Sequence, residues 1–144
     1  MGYFYTFACS SCPHTESVKT GRSYFDKSKG LRKQALKGTY GEKIQQEMEA
    51  HPEYVLDQEK CLYVCSCGCW INEFKKNILS ANPLETDDFK VVKQNRHVCP
   101  ECGKVMRMVK EKEIMDLKLR CPDCKKEMHT EPDACGFCDC YDLR

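Results

Sequence analysis

The sequence contains two matching stretches, Cys99-Pro100-Glu101-Cys102-Gly103 and Cys121-Pro122-Asp123-Cys124, from which a fold can be predicted. Each is a knuckle, a short loop in which two residues separate a pair of cysteines. The segment between the two knuckles predicts a strand, a turn and a second strand. Zn²⁺ prefers a tetrahedral shell of four thiolates in structural sites, and two facing knuckles supply such a shell. The spacing therefore predicts one zinc site formed by Cys99, Cys102, Cys121 and Cys124.

A second zinc site is predicted from cysteines nearer the start of the chain. Its expected ligands are Cys9, Cys12, Cys65 and Cys67. Only one residue separates Cys65 from Cys67, so Cys69 is the alternative to Cys67. Cys67 is preferred because Gly68 follows it, as a glycine also follows the second cysteine of the 99–102 knuckle.

Cysteine is unusually frequent, at 13 of 144 residues. Without cysteine, apolar side chains make up only about 32% of the chain, which is lean for a globular protein. Small modules of this kind usually need disulfides or metal ions to fold. The cysteine count is odd, and no basic region precedes an apolar run at the start, so an exported disulfide framework is not expected. We expect metal ligands in a reducing cytoplasmic setting, with no membrane-spanning stretch.

The knuckles and the strands expected around them resemble the zinc-ribbon fold group. This resemblance is strongest over residues 97–130, where two Cys-Pro-x-Cys knuckles flank a strand-turn-strand segment. The whole chain also looks like small uncharacterised bacterial tandem zinc-ribbon proteins with a helical insert in the first ribbon. The resemblance implies a small metal-stabilised α+β fold with two zinc ribbons of short antiparallel strands. It implies no activity.

A polar stretch from Ser80 to Asp88 contains an Asn-Pro turn signal and predicts a domain boundary. The expected domains are a first zinc ribbon at 1–80 with a helical insert at about 23–56, a linker at 81–89, a second zinc ribbon at 90–130 and a Cys-rich tail at 131–144. Within the insert, Tyr40, Ile44 and Met48 recur at a spacing of four and predict an amphipathic helix. A weaker helix is expected over residues 31–37.

Five cysteines remain once two zinc sites are assigned. Three of them lie close together in the tail and form a tentative third metal site: Cys135, Cys138 and Cys140. The fourth ligand could come from His129, or from Cys61 or Cys69 of the first module. A tail with free thiols is the alternative.

Bound metal changes the charge balance of the chain. Its formal net charge is +1, and each four-thiolate zinc site would contribute −2, so two sites bring the total to −3. This weakens the expectation of a non-specific nucleic-acid interaction. A basic patch on the second ribbon remains, with Arg107 and Arg120 as possible nucleic-acid contacts. A protein partner, docking on apolar residues such as Met106 and Met108, is slightly favoured.

A non-enzymatic role is expected, because zinc saturated by four thiolates has no position for a reacting water. The four histidines are scattered, and no nucleophile–base motif or phosphate-binding loop is present. His14 and His97 lie two residues from predicted ligands and are expected at the surface rather than bonded to a thiolate. The sequence favours a structural zinc-binding adaptor for a macromolecule. The alternative is a thiol-redox or metal-handling protein that uses the unpaired cysteines.

Overall fold

The computed structural model describes residues 2–22 and 27–138, the last two without their side chains. The helices are α1 (Ser28–Leu36), α2 (Glu42–Ala50) and α3 (Glu111–Ile114), with a 3₁₀ turn at Pro132–Ala134. The strands are β1 (Gly2–Cys9), β2 (Thr15–Arg22), β3 (Val55–Leu56), β4 (Glu59–Val64), β5 (Trp70–Phe74), β6 (Ile78–Leu79), β7 (Val91–Lys93), β8 (Arg107–Met108), β9 (Leu119–Arg120), β10 (Glu127–Thr130) and β11 (Gly136–Cys138). In these described stretches, none of the helices has the length and apolar character that crossing a membrane requires.

The chain forms two compact units, and each is built from separate stretches of sequence. The cysteine unit comprises Met1–Tyr24, Lys60–Glu73 and His97–Arg144. The helical unit comprises Phe25–Glu59 and Phe74–Arg96. This division differs from the expected sequential modules at 1–80 and 90–130, because the chain enters and leaves the helical unit twice.

The expected linker at 81–89 is an ordered part of the helical unit. Asn82 is buried, and its side-chain oxygen accepts a hydrogen bond from the N–H of Leu84 at 3.0 Å. The backbone carbonyl of Asn82 also accepts a hydrogen bond from the N–H of Glu85 at 3.0 Å. Asparagine stabilises tight turns in this way. The Asn-Pro signal therefore marks a turn between β6 and β7 rather than a domain boundary.

One sheet runs through the cysteine unit in the strand order β5-β4-β2-β1-β10-β9, with β8 added to β4 and β11 to β1. Strand β1 lies within it and pairs antiparallel with β2, β10 and β11. Alternate residues of β1, including Tyr5, Phe7 and Cys9, are buried in a core with Leu62 and Met128. The expected α+β class with antiparallel strands is found, but the strands of the two expected ribbons are joined in one sheet.

In the helical unit, α1 and α2 pack with the three-stranded sheet β3-β6-β7. The helix predicted from the spacing of apolar residues is α2, where Ile44 and Met48 are buried. Arg32 of α1 donates hydrogen bonds to the carbonyls of Met48 at 2.7 Å and of Tyr54 at 2.9 Å. A helix leaves its last carbonyls without internal partners, and a cation is favourable there. Arg32 therefore ties the end of α2 to α1.

Candidate metal centres

Metal site A gathers four cysteine sulfur atoms from nearly opposite ends of the sequence. It is formed by Cys9, Cys12, Cys121 and Cys124, whose sulfur atoms all lie within 4.8 Å of one another. The Sγ atoms of Cys9 and Cys124 are 3.4 Å apart, and those of Cys12 and Cys121 are 3.6 Å apart. The knuckle after β1 thus faces the knuckle between β9 and β10.

Strand pairing brings the two knuckles of site A together. Strand β1 pairs with β10 in a register that places Cys9 opposite Met128. Each knuckle is closed by a backbone hydrogen bond: the N–H of Cys9 donates to the carbonyl of His14 at 3.0 Å, and the N–H of Cys121 donates to that of Lys126 at 2.7 Å. The geometry of site A therefore follows from the sheet and from the tight loops at its end.

Metal site B is formed by the two inner knuckles. Its members are Cys65, Cys67, Cys99 and Cys102, whose sulfur atoms also lie within 4.8 Å of one another. The Sγ atoms of Cys65 and Cys102 are 3.3 Å apart, and those of Cys67 and Cys99 are 3.6 Å apart. Cys65 and Cys99 are buried, whereas Cys67 and Cys102 are exposed.

Strand pairing also assembles site B. Strand β4 leads into its first knuckle and pairs with β8, with Tyr63 opposite Met108. The second knuckle lies between Val98 and Val105, which form an isolated antiparallel bridge. Strand β4, which leads into the first knuckle, and β8, which follows the second, lie in the same sheet as the strands of site A.

In three of the four knuckles, the residue after the second cysteine has a left-handed backbone. Gly68 has φ +98° and Gly103 has φ +75°. Lys125 takes the equivalent position after Cys124 with φ +66°. Glycine adopts this conformation without the steric cost that a Cβ atom brings. Gly68 and Gly103 therefore suit this backbone conformation, whereas Lys125 adopts it at a steric cost.

The pairing of the knuckles differs from the one that spacing predicted. The predicted sites combined the knuckle at 99–102 with that at 121–124, and the knuckle at 9–12 with Cys65 and Cys67. The structure joins the first knuckle with the last and pairs the two inner knuckles with each other. The eight cysteines expected as ligands are all present in the two sites, but they are divided differently between them.

Loop entropy explains why spacing is a weak guide to this pairing. Using Cys9 instead of Cys99 lengthens the loop to Cys121 about fivefold, which costs only about 1.5 kcal/mol of closure entropy. Pairing β1 with β10 helps to bury Phe7 and Met128 completely. Each such side chain contributes about 1.5–3 kcal/mol when removed from water. Core formation therefore outweighs the shorter loop.

The structure places Cys67 in the four-sulfur group of site B and leaves Cys69 outside it. Cys69 packs against the buried cluster that contains Cys65 and Cys99. Burial, followed by a hydrogen bond with Cys99, raises the pKa of the Cys69 thiol to about 11. Cys69 is thus the neighbour of a ligand rather than one of the four gathered sulfur atoms.

The thiols of each knuckle differ in their readiness to ionise. A hydrogen bond from the N–H of Ser11 lowers the pKa of Cys9 to about 7, and one from the N–H of Cys102 lowers the pKa of Cys99 to about 6. The N–H of His14 also lowers the pKa of Cys12, but burial and the neighbouring thiols outweigh it and raise that pKa to about 12. In every knuckle the pKa of the first cysteine is lowered and that of the second is raised. The remaining lowered pKa values belong to Cys65 and Cys121, and the remaining raised ones to Cys67, Cys102 and Cys124.

This donor set fits a thiophilic cation. Four thiolates at the usual zinc–sulfur distance of about 2.3 Å lie about 3.8 Å apart in a tetrahedron, close to the separations in both sites. A disulfide would need about 2.05 Å between two sulfur atoms. Four adjacent thiols cannot all ionise without a compensating positive charge, which a divalent ion supplies.

Two histidines near the sites have structural partners. The ring of His14 lies between two carboxylates, with Nε2 2.8 Å from Glu16 and Nδ1 2.8 Å from Asp123. His97 is buried, and its ring lies 4.3 Å from that of Tyr63. The expectation that His97 is at the surface is wrong. His97 packs against Tyr63 of β4, a strand distant in sequence, and the spacing of His97 from Cys99 does not reveal this contact.

A cleft of about 320 Å³ lies within the cysteine unit, beside the knuckles of both sites. It is lined by Glu16, Cys69, Trp70, Glu101, Arg120, Pro122 and Lys125. Arg120 forms an ion pair with Glu101 at 2.7 Å, and the indole N–H of Trp70 donates to the carbonyl of Arg120 at 2.8 Å. No local motif predicts this cleft, because its walls come from four separate segments.

The tentative third metal site lies mostly beyond the described side chains. Cys140 is outside the described residues, and only the backbone of Cys138 is described. Cys135 donates a hydrogen bond from its thiol to the carbonyl of Glu131 at 3.2 Å. His129 is exposed on β10, opposite Ala8. A third metal site therefore stays a prediction.

The residues proposed for partner contacts occupy different environments. Arg107 forms an ion pair with Glu113 at 3.2 Å, and Arg120 pairs with Glu101. Met108 is exposed, but Met106 is buried at 5% exposure. The expected use of Met106 as an exposed docking residue is therefore wrong, because it packs in the cluster around Cys65 and Cys99.

The two four-cysteine groups confirm the expectation of two sites that could each hold a metal ion. Comparisons with protein-family models, with curated proteins and with solved structures found no match. The functional proposal therefore depends on the chemistry of these two groups and on the surface around them.

Proposed function

We propose that the protein is a non-enzymatic, structural zinc-binding protein that serves as an adaptor for a macromolecular partner. Its two zinc ions would be held by sites A and B. The observation that carries the proposal is that each four-sulfur group joins chain segments far apart in sequence. A metal ion at site A would link residues 9–12 to residues 121–124, and one at site B would link residues 65–67 to residues 99–102.

Zinc is favoured by the ligand set, since four thiolates in a tetrahedron suit Zn²⁺ or an iron–sulfur cluster. Zinc sites of this type stabilise small folds directly, by about 10–16 kcal/mol of apparent binding free energy in finger peptides. The apolar core of the cysteine unit is modest, so bound zinc would add to the stability that this core provides. A shell closed by four thiolates also leaves no position for a reacting water, which supports a non-catalytic role.

A protein partner is favoured over nucleic acid. The formal charge of +1 falls to −3 when two four-thiolate zinc sites are filled. Both arginines considered for phosphate contacts are paired with glutamates. The segment from 98 to 108 exposes Val98, Val105 and Met108 at 55%, 53% and 43%. These apolar side chains offer a protein a contact surface beside site B.

Native mass spectrometry with metal analysis tests the zinc proposal. We expect two zinc ions per chain, and both should be lost on treatment with acid and chelator. Iron with sulfide, or no metal at all in protein purified without chelator, would contradict it.

Titration with labelled single- and double-stranded oligonucleotides tests the choice of partner. We expect no binding at low salt. Binding that weakens steeply with salt and is lost on Arg107→Glu with Arg120→Glu would instead identify a nucleic-acid-binding protein.

A further inference from the structure

We propose that Cys69 is a reserve ligand of metal site B, which takes the coordination position of Cys67 when that thiolate leaves the metal. This inference rests on the proposed function, in that site B binds zinc. It assigns a role to a fifth cysteine that is not among the four gathered sulfur atoms.

Cys69 is held directly beside the site. Its carbonyl accepts a hydrogen bond from the N–H of Cys65 at 2.9 Å, which closes the loop that carries Cys67. It also packs on the same buried cluster as Cys65 and Cys99. The backbone hydrogen bond and this packing therefore hold Cys69 beside site B.

The two candidate ligands differ in exposure. Cys67 is an exposed residue, whereas Cys69 is partly buried. Cys69 also lines the cleft beside Trp70 and Arg120, which leaves space for its side chain to turn. The loop from 65 to 69 thus carries an exposed ligand, Cys67, and a partly buried cysteine, Cys69, two residues apart.

The exchange needs no oxidant or reductant. The metal–sulfur bond to Cys67 breaks as one to Cys69 forms, and the proton of the Cys69 thiol passes through water to the sulfur of Cys67. Four thiolates surround the metal before and after the exchange. Its charge and oxidation state are unchanged.

Site A has no comparable arrangement among the described side chains. The one further cysteine packed against its cluster is Cys135, whose thiol donates its hydrogen bond to the carbonyl of Glu131. Sites A and B should therefore respond differently when one ligand is removed. Site B should keep its metal when Cys67 is replaced, whereas site A should gain no replacement thiolate for any of its ligands.

Zinc stoichiometry by native mass spectrometry tests the inference on the full chain. The wild type, Cys67→Ser and the double variant Cys67→Ser with Cys61→Ser should each hold two zinc ions. The double variant Cys67→Ser with Cys69→Ser should hold one. Cys61 is the matched control, because it packs against the same cluster as Cys69 but precedes the knuckle on β4. Cobalt(II) spectra should show full four-thiolate coordination at both sites of Cys67→Ser.

Cys69→Ser gives an independent test, since all four gathered ligands are intact. It should hold two zinc ions but lose one of them to excess EDTA several-fold faster than the wild type and Cys61→Ser. One zinc in Cys67→Ser, two in the Cys67→Ser/Cys69→Ser variant, or an unchanged rate of loss from Cys69→Ser would each overturn the inference. A wild type without zinc would instead overturn the proposed function.

Discussion

The imidazole of His14 joins the two knuckles of site A, since its Nδ1 lies 2.8 Å from a carboxylate oxygen of Asp123. The other ring nitrogen faces Glu16, also at 2.8 Å. In its protonated form the imidazole can donate a hydrogen bond from each ring nitrogen to these carboxylates. The hydrogen bond with Glu16, opposed by burial and assisted by the charge of Asp123, raises the pKa of His14. The His14 side chain thus links two loops that also share a metal site.

The first prediction is that His14 and Asp123 are energetically coupled. We expect a double-mutant cycle with His14→Ala and Asp123→Ala to give a small, measurable coupling in the free energy of unfolding. The value is small because Asp123 is largely exposed. Urea denaturation of the zinc-loaded protein provides the measurement.

Salt is the control for this prediction. The coupling should shrink at high ionic strength, where charges of exposed residues are screened. Strictly additive single variants at low salt would show that the contact contributes nothing.

The positions of the metal ligands could be predicted from the sequence, but their partners could not. A Cys-x₂-Cys pair followed by a residue suited to positive φ is a local feature, as Gly103 illustrates. The pairing of β1 with β10 depends on the burial of side chains such as Phe7 and Met128, which are more than a hundred residues apart. No local pattern contains this information.

The second prediction distinguishes the two ways of pairing the knuckles. The variant Cys9→Ser/Cys121→Ser should lose one zinc ion, because both substitutions fall in site A. The variant Cys99→Ser/Cys121→Ser should lose both ions, because one substitution falls in each site. Native mass spectrometry counts the ions directly.

The pairing expected from spacing gives the opposite results for these two variants. Hydrogen exchange adds a control for each site. Cys121→Ser should lose protection in β1 and β10, whereas Cys99→Ser should lose it near Val98 and Val105. Equal losses in both variants would mean that the sites do not act separately.

The third prediction concerns Lys125, which has φ +66° where two other knuckles have glycine. A left-handed backbone costs a residue with a Cβ atom about 1–2 kcal/mol, and glycine costs about 0.5–1 kcal/mol in chain entropy. Lys125→Gly should therefore stabilise the protein by about 0.5–1 kcal/mol. The substitution also removes a hydrogen bond from Lys125 to the carbonyl of Pro122. This bond is exposed to solvent, so it contributes little to stability.

Thermal or urea denaturation of the zinc-loaded protein tests this substitution. Lys126→Gly is the matched control, because Lys126 has no positive φ and glycine there brings only the entropic cost. It should destabilise the protein. Equal effects of the two substitutions would show that backbone strain at Lys125 is negligible.

The environment of Met106 shows a second limit of sequence patterns. Alternation places Met106 and Met108 on one face of a strand, and exposure of both was expected. The structure has only two strand residues in β8, and it buries Met106 against Cys65 and Cys99 while Met108 stays exposed. Alternation fails where a knuckle bends the chain, because the strand is too short to set the orientation.

The fourth prediction is a pH dependence that involves Glu113, away from both metal sites. Glu113 accepts a hydrogen bond from the N–H of Lys110 at the start of α3, and this bond, together with Arg107, lowers the pKa of its carboxyl. A carboxyl whose pKa is lower in the folded than in the unfolded state stabilises the fold above its unfolded pKa. That stabilisation is lost as the pH falls through the folded pKa.

Glu113→Gln should therefore be less stable than the wild type at neutral pH, and the difference should vanish below the folded pKa of Glu113. Acid also releases zinc from thiolates below about pH 6, so both proteins should lose stability there. Comparing the wild type with Glu113→Gln at each pH removes this shared effect. Glu127→Gln is the control, because Glu127 is exposed and lies 3.7 Å from Lys118 in a loose ion pair. A stability difference for Glu113→Gln that stays constant from neutral to strongly acidic pH would contradict the capping role of its charge.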